Sequence, residues 1–194
     1  MKTDIILAGV GGQGILSIAT CIGMAAMKEN LFLKQSEVHG MSQRGGAVQS
    51  HFRLSDKPIA SDLIPMGKAD IILSVEPMEA LRYLPWLNEN GMVVTNSTTF
   101  VNISDYPPAE ELYSKIKSLK NHVLINADEI AKSINSARSM NMVMLGASSE
   151  YLQLKFEDLE DAVKTFFAAK GENIVTTNLN ALRMGREYAE KYLK

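Results

Sequence analysis

Cysteine is almost missing from this chain: Cys21 is the one thiol among 194 residues. A lone thiol closes no internal disulfide, and it falls short of the roughly four ligands of an iron–sulfur cluster, so any redox centre has to be supplied by something else. Cys21 sits in the small and apolar run ILSIATCIGMAAM, with no histidine or lysine beside it, and reads as an inert buried side chain. Long hydrophobic runs are missing as well. No segment reaches the roughly 18 uninterrupted apolar residues of a membrane span, and the opening MKTDIILAGVGG carries an acid and too short an apolar stretch for a signal peptide. The cytoplasm is the expected location. Charge of one sign is also lacking: 20 Lys and Arg against 22 Asp and Glu give a formal net charge of -2, which creates no global field for nucleic acid or a membrane surface. The three histidines, His39, His51 and His122, fall at no metal-ligand spacing, and no serine occupies a G-x-S-x-G elbow, so neither a metal site nor a hydrolase triad is expected.

What is present suits one compact domain over residues 1–194, with 46% hydrophobic residues and eleven methionines that read as core filler. DIILAGV is a short buried strand ending at glycines, and Gly14 to about Asn30 reads as a helix whose small face (Ala19, Gly23, Ala26) lets it lie close to a sheet. LFLKQS and the alternating AVQSHFRLS are two more strands, and the DKP turn after them suggests a hairpin into PIASDLI. ADIILSVEP repeats the strand-then-polar pattern and feeds a short helix, PMEALRYLPWL, with Gly91 of NENG in the place of a C-terminal cap. MVVTNS and HVLINAD are further strands, separated by a helix that two prolines open. Strands alternating with helices predict an α/β fold: a Rossmann-like, open, mostly parallel sheet over about 1–127, with a C-terminal helical elaboration over about 128–194 packed on it.

Two glycine motifs stand out. Gly9, Gly11 and Gly14 in GVGGQG meet the G-x-G-x-x-G spacing between a strand and a helix, where bare amides can cradle a pyrophosphate. A nicotinamide dinucleotide also wants an acid at the end of the second strand. Only Glu37 is on offer there, beside the polar Lys34, Gln35 and Ser36. A dinucleotide, another phosphate group or partner contact, and a purely structural turn all remain compatible with the loop. The second motif, EVHGMSQRGGAVQSHFR, sets His39, Gln43 and Arg44 among Gly40, Gly45 and Gly46. It combines neutral donors, a permanent cation and flexible backbone, which suits a loop meeting an anion or another chain, and equally a solvated turn. Glu76 and Glu79 lie three apart around a helix start, where acids serve the helix dipole; they are also a pair that acid/base chemistry uses.

GVGGQGILS, EVHGMSQRGGAVQSHFR, ADIILSVEPMEALRYLPWL and NMVMLGA, in that order over nearly the whole chain, resemble the small (beta) subunits of indolepyruvate:ferredoxin oxidoreductases. These are equivalent to the gamma subunit or domain of pyruvate and 2-ketoisovalerate ferredoxin oxidoreductases. The resemblance implies an accessory subunit of a complex that oxidatively decarboxylates a 2-oxo acid, aryl pyruvates being favoured, and captures the acyl group on coenzyme A. It places thiamine diphosphate, magnesium and the iron–sulfur clusters in a large (alpha) partner subunit, with ferredoxin as electron acceptor and no cofactor held by this chain alone. The family's glycine motifs match Gly9, Gly11, Gly12, Gln13 and Gly14, then His39, Gly40, Met41, Ser42, Gln43, Arg44, Gly45 and Gly46. From this the second loop is expected at the active-site cleft of the large subunit, with Arg44 against a phosphate of coenzyme A or a substrate carboxylate. His39 and Gln43 would bond the same ligand or the partner, and His39 is the candidate for acid/base work. The rival readings are an autonomous NAD(P)-binding oxidoreductase and a noncatalytic assembly scaffold.

Overall fold

The structure is a computed structural model that describes residues 1–39 and 45–192, with the backbone alone at His39. Its centre is β1 (Lys2–Val10), whose apolar residues alternate between the two faces of a six-stranded sheet. β3 (Ala47–Ser55) lies antiparallel along β1, and β2 (Phe32–His39) pairs antiparallel with β3 at the edge. On the other side β4 (Ala69–Ser74), β5 (Leu87–Asn96) and β6 (His122–Ile125) follow in parallel, giving the order β2-β3-β1-β4-β5-β6. Only β3 runs against the rest, so the mostly parallel α/β sheet is as expected.

Ile5 and Leu7 face the larger core, together with Phe52, Leu73 and Val94, while Ile6 and Ala8 face a smaller one with Ile72, Val93 and Tyr83. The larger core takes in α1 (Ile15–Lys28), α4 (Ala127–Ser133), α5 (Met140–Ser148), α6 (Phe156–Phe167) and α7 (Glu172–Tyr192). α2 (Pro77–Arg82) packs on the smaller core, and α3 (Ala109–Lys117) lies beside α2 and β6. Every residue of α5 is buried, which fits the predominantly apolar MNMVMLGAS, where only Asn141 and Ser148 are polar and no amphipathic stripe is present. α5 and α7 touch backbone to backbone: a Cβ on Gly146 would lie 1.8 Å from the Leu182 carbonyl oxygen, and one on Gly185 would lie 1.9 Å from that of Val143.

Two expectations fail. The segment after the DKP turn forms no strand; it crosses the end of the sheet tied down by Arg53, whose Nη1 donates to the carbonyls of Ser61 and Leu63 at 2.9 and 3.0 Å, and by His51, whose Nδ1 accepts from the Ile64 amide at 3.0 Å. β3 has already used both of its edges on β1 and β2. Gly91 caps no helix either: the helical turns end by Trp86, and NENG opens β5. A Cβ there would meet Leu87 Cδ1 at 2.5 Å and the Ala69 carbonyl at 3.1 Å, so close packing of β5 on β4 requires the glycine.

Candidate functional site

The connection after β1 leaves through α1 on one face, and that after β4 leaves through α2 on the other. The carboxyl ends of β1 and β4 therefore border the point where the connections diverge, which in open α/β sheets is the habitual place for a ligand. GVGGQG fills the β1 side. Gly9 lies so close to the chain beyond β4 that a Cβ would stand 2.3 Å from Val75 Cγ2. Gly14 takes a left-handed φ of 85° to start α1, and Asn141, at the start of α5, leans on it with its Nδ2 3.5 Å from the Gly14 carbonyl. Gln13 folds back on its own loop: its Oε1 accepts from the Val10 amide at 2.8 Å, while its amide donates to the Val10 carbonyl at 3.1 Å.

The second glycine motif joins the first. The Gly11 amide donates to the Gly46 carbonyl at 2.8 Å, and the Gly45 amide donates to the Gly11 carbonyl at 3.4 Å, which continues the β1–β3 ladder past Val10 and Ala47. Gly9, Gly11, Gly12, Gln13, Gly14, Gly45 and Gly46 are thus brought together. Gly40, Gln43 and Arg44, and the side chain of His39, lie outside the described residues. Amides that a pyrophosphate would need, those of Gly11 and Gln13, are taken by the protein's own carbonyls. The ribose partner fares no better. Glu37 pairs in register with Ser50, which pairs with Leu7, so the only acid on β2 is a full strand further from the glycine loop than in a dinucleotide fold.

Beside the joined loops lies a buried carboxylate, Glu76, which the sequence offered as a helix-start acid or as half of an acid/base pair with Glu79. Glu76 does cap α2: its Oε2 accepts from the Glu79 amide at 2.8 Å, next to Pro77 in the first turn. Its Oε1 does something else, accepting from the Tyr106 hydroxyl and, at 3.4 Å, from the Phe100 amide, so it ties the β5–α3 connection to the end of β4. Burial, reinforced by Glu76, pushes the Tyr106 phenol well above its ordinary pKa and keeps it a donor. Glu79 is also buried. It holds Arg82 through two contacts of 2.9 and 3.1 Å, and burial raises its pKa against the opposing pull of that cation. Asn96, at the end of β5, bonds Val75, Ala127 and Asp128, closing the gap between the ends of β4 and β5 and α4. The Glu-Pro start of α2 was a legible signal for Glu76. Asn96 and Tyr106 carry none, because their partners are distant in sequence.

Among the described residues no group of three or more His, Cys, Asp or Glu could hold a metal ion, and no helix is long and apolar enough to cross a membrane. The fold and site define an open α/β module in which two glycine motifs are joined at a switch point of the sheet, with no carboxylate placed for a ribose among the described residues. The chain belongs to the pyruvate ferredoxin/flavodoxin oxidoreductase family, whose model matches residues 4–188. It is 36% identical to the indolepyruvate oxidoreductase subunit IorB of Archaeoglobus fulgidus, over 97% of this chain and 96% of that protein. Among solved structures, it resembles the keto/oxoacid ferredoxin oxidoreductase gamma subunit of Geobacter sulfurreducens, with a TM-score of 0.71 and 25% identity over 97% of this chain and 99% of that one. It shares its fold with part of the 2-oxoglutarate:ferredoxin oxidoreductase of Magnetococcus marinus, solved with 2-oxoglutarate, coenzyme A and succinyl-CoA bound. There the TM-score is 0.77 at 22% identity; the match covers 98% of this chain and only 31% of that larger polypeptide.

Proposed function

We infer that this chain, as one unit over residues 1–194, is the small subunit of a cytoplasmic 2-oxo acid:ferredoxin oxidoreductase that accepts aryl pyruvates such as indolepyruvate. The reaction releases carbon dioxide, joins the acyl carbon to the sulfur of coenzyme A, and passes an electron pair to ferredoxin. The observation that carries the reading is the near end-to-end likeness to an indolepyruvate oxidoreductase subunit of almost the same length. The single, buried Cys21 does not fit an iron–sulfur cluster, which wants about four thiolates, so the clusters belong with thiamine diphosphate and magnesium in a large partner subunit.

This chain's share is binding and positioning. The pairing of Gly11 with Gly45 and Gly46 supports a single two-loop edge that presents the second motif to the partner's cleft. Arg44 on that motif supplies a forked, permanent cation for a coenzyme A phosphate or a substrate carboxylate, with His39 and Gln43 as further donors.

Anaerobic recovery of the tagged protein from its host, followed by assay of indolepyruvate- and coenzyme A-dependent viologen reduction, tests the reading, with the isolated chain as control. Activity is expected only in a complex with a cluster-bearing large chain. Recovery of the protein alone, with no oxo acid supporting reduction, would refute it. Within an active complex, Arg44→Ala is expected to raise the KM for coenzyme A or the oxo acid while assembly stays intact. If loop substitutions alter assembly alone and leave kinetics untouched, the loop is a scaffold element.

A further inference from the structure

The connection from Ser97 to Pro108 has no regular structure and turns Phe100, Val101 and Ile103 toward solvent, yet it is fastened at several points. The Tyr113 hydroxyl donates to the Ser97 carbonyl at 2.6 Å, the Ser97 amide donates to the Ile125 carbonyl at 2.8 Å, and Glu76 collects Phe100 and Tyr106. From the middle of this fastened segment Asn102 reaches across to the glycine loops. Its Nδ2 donates to the Gly45 carbonyl at 2.8 Å, next to the two backbone bonds that join Gly45 and Gly46 to Gly11. The amide orientation follows from chemistry, since the reverse would set one carbonyl oxygen against another. The cost of this contact is visible: Asn102 Oδ1 is buried and meets no donor among the described residues.

We propose that Asn102 is a positioning residue for the proposed reaction: held in place by the Glu76 anchor, it clamps Gly45 and so fixes the base of the second glycine loop against the first. Gly45, Gly46 and Gly11 have no side chains with which to set their own geometry, and the Gly45–Gly11 bond is long at 3.4 Å. The clamp therefore supplies from outside the order that the glycines lack. Asn102 touches no reacting atom in this arrangement. Its effect passes through the pose of the loop edge, and so through binding of whatever that edge presents Arg44 to; this step rests on the proposed function.

The test uses the assembled complex and two variants, Asn102→Asp, which keeps the shape and removes the Nδ2 donor, and Asn102→Ala. Backbone hydrogen exchange is followed at the Gly11 and Gly45 amides, and kcat and KM are measured for coenzyme A and the oxo acid. Both variants are expected to speed exchange at the Gly11 and Gly45 amides, the two donors of the junction, by about tenfold, with β4 and β5 unaffected, as loss of one supporting hydrogen bond predicts. KM for coenzyme A or the oxo acid should rise several-fold with kcat nearly constant, a split that general destabilisation does not produce. Asn102→Gln, which keeps an amide donor, should recover part of both effects. Unchanged exchange at Gly11 and Gly45 overturns the clamp. Faster exchange with both KM values unchanged overturns the positioning role. A parent complex without coenzyme A-dependent turnover would instead sink the proposed function, and the exchange readout would still decide the clamp.

Discussion

Replacing Gly146 by alanine should cost far more stability than a methyl added at an uncrowded helical glycine of this protein. The added carbon would stand 1.8 Å from the Leu182 carbonyl oxygen, whereas unbonded carbon and oxygen atoms settle at roughly 3.3 Å or more. The two helix backbones would have to part by roughly 1.5 Å. α5 is buried at every residue and cannot shift freely, because Met142, Val143, Met144 and Leu145 would be driven against a filled core or pulled away from it. Overpacking of this kind costs about 1–3 kcal/mol, and gaps opened on the far side forfeit a quarter to a half of the contacts there. Alanine's better helix propensity returns about 1 kcal/mol. With the lost contacts added to the remainder, the net loss should be about 1–3 kcal/mol, which for a chain of this size lowers Tm by on the order of 2–12 °C.

Urea unfolding followed by circular dichroism measures it as a lower midpoint at unchanged slope. Gly23→Ala is the matched control: it also adds a methyl inside a helix, but its nearest neighbours would be Phe52 Cζ at 3.7 Å and Leu33 Cδ2 at 3.9 Å, ordinary contacts, so that variant should be neutral or slightly stabilising. Gly146 and Gly185 report on the same crossing, since the Cβ of Gly185 would stand 1.9 Å from the Val143 carbonyl. Once one substitution has parted the helices the second costs less, so the double variant should lose less than the sum of the single losses. A Gly146→Ala protein as stable as its parent would refute the reasoning.

Arg53→Met should cost about 2 kcal/mol by denaturant midpoint, because the fully buried Asp4 loses contacts of 2.7 and 3.1 Å while keeping its ion pair with Lys2 at 2.7 Å. Arg53→Lys should restore little of this, since an ammonium cannot also serve the Ser61 and Leu63 carbonyls. Burial, helped by Arg53, lowers the pKa of His51, and its Nδ1 must stay unprotonated to accept from Ile64. The unfolded chain therefore binds this proton more readily; the native state loses stability as pH falls below about 6.5, and urea midpoints between pH 8 and 5 should show a slope that His51→Gln reduces. Burial also pushes the Cys21 thiol up to about 12, so thiol reagents at pH 8 should leave the native protein unlabelled and modify one thiol after unfolding.

The elements most legible in the sequence are those whose residues answer to local rules. DIILAGV had to be a buried strand, the glycine at position 14 had to start a helix, and Glu76 before Pro77 had to cap one. Gly91 misled because NENG has the composition of a helix end, while the demand for glycine comes from the Ala69 carbonyl across the sheet and from Leu87 earlier on the same strand. The PIASDLI segment misled for a related reason: alternation in AVQSHFRLS marks a strand but not its neighbours, and β3 pairs with β1 and β2 rather than forward. Asn102 was invisible because a loop asparagine declares itself only through its partner, here Gly45, which lies 57 positions away.

The insertion of β3 changes what the first glycine motif can do. In a dinucleotide fold the second strand lies beside the first, and its terminal acid comes within reach of a ribose bound on the glycine turn. Here β2 is displaced outward by one strand, so with a spacing of about 4.8 Å between neighbours it lies roughly 10 Å from β1. The place beside the glycine turn goes instead to the start of β3, and with it come Gly45 and Gly46, whose backbone groups bond Gly11. The same spacing of glycines therefore serves two ends in two sheets. With an acid alongside it receives a nucleotide; with a second glycine motif alongside, its polar groups are turned to holding that motif in place. Strand order, and not the motif, decides which.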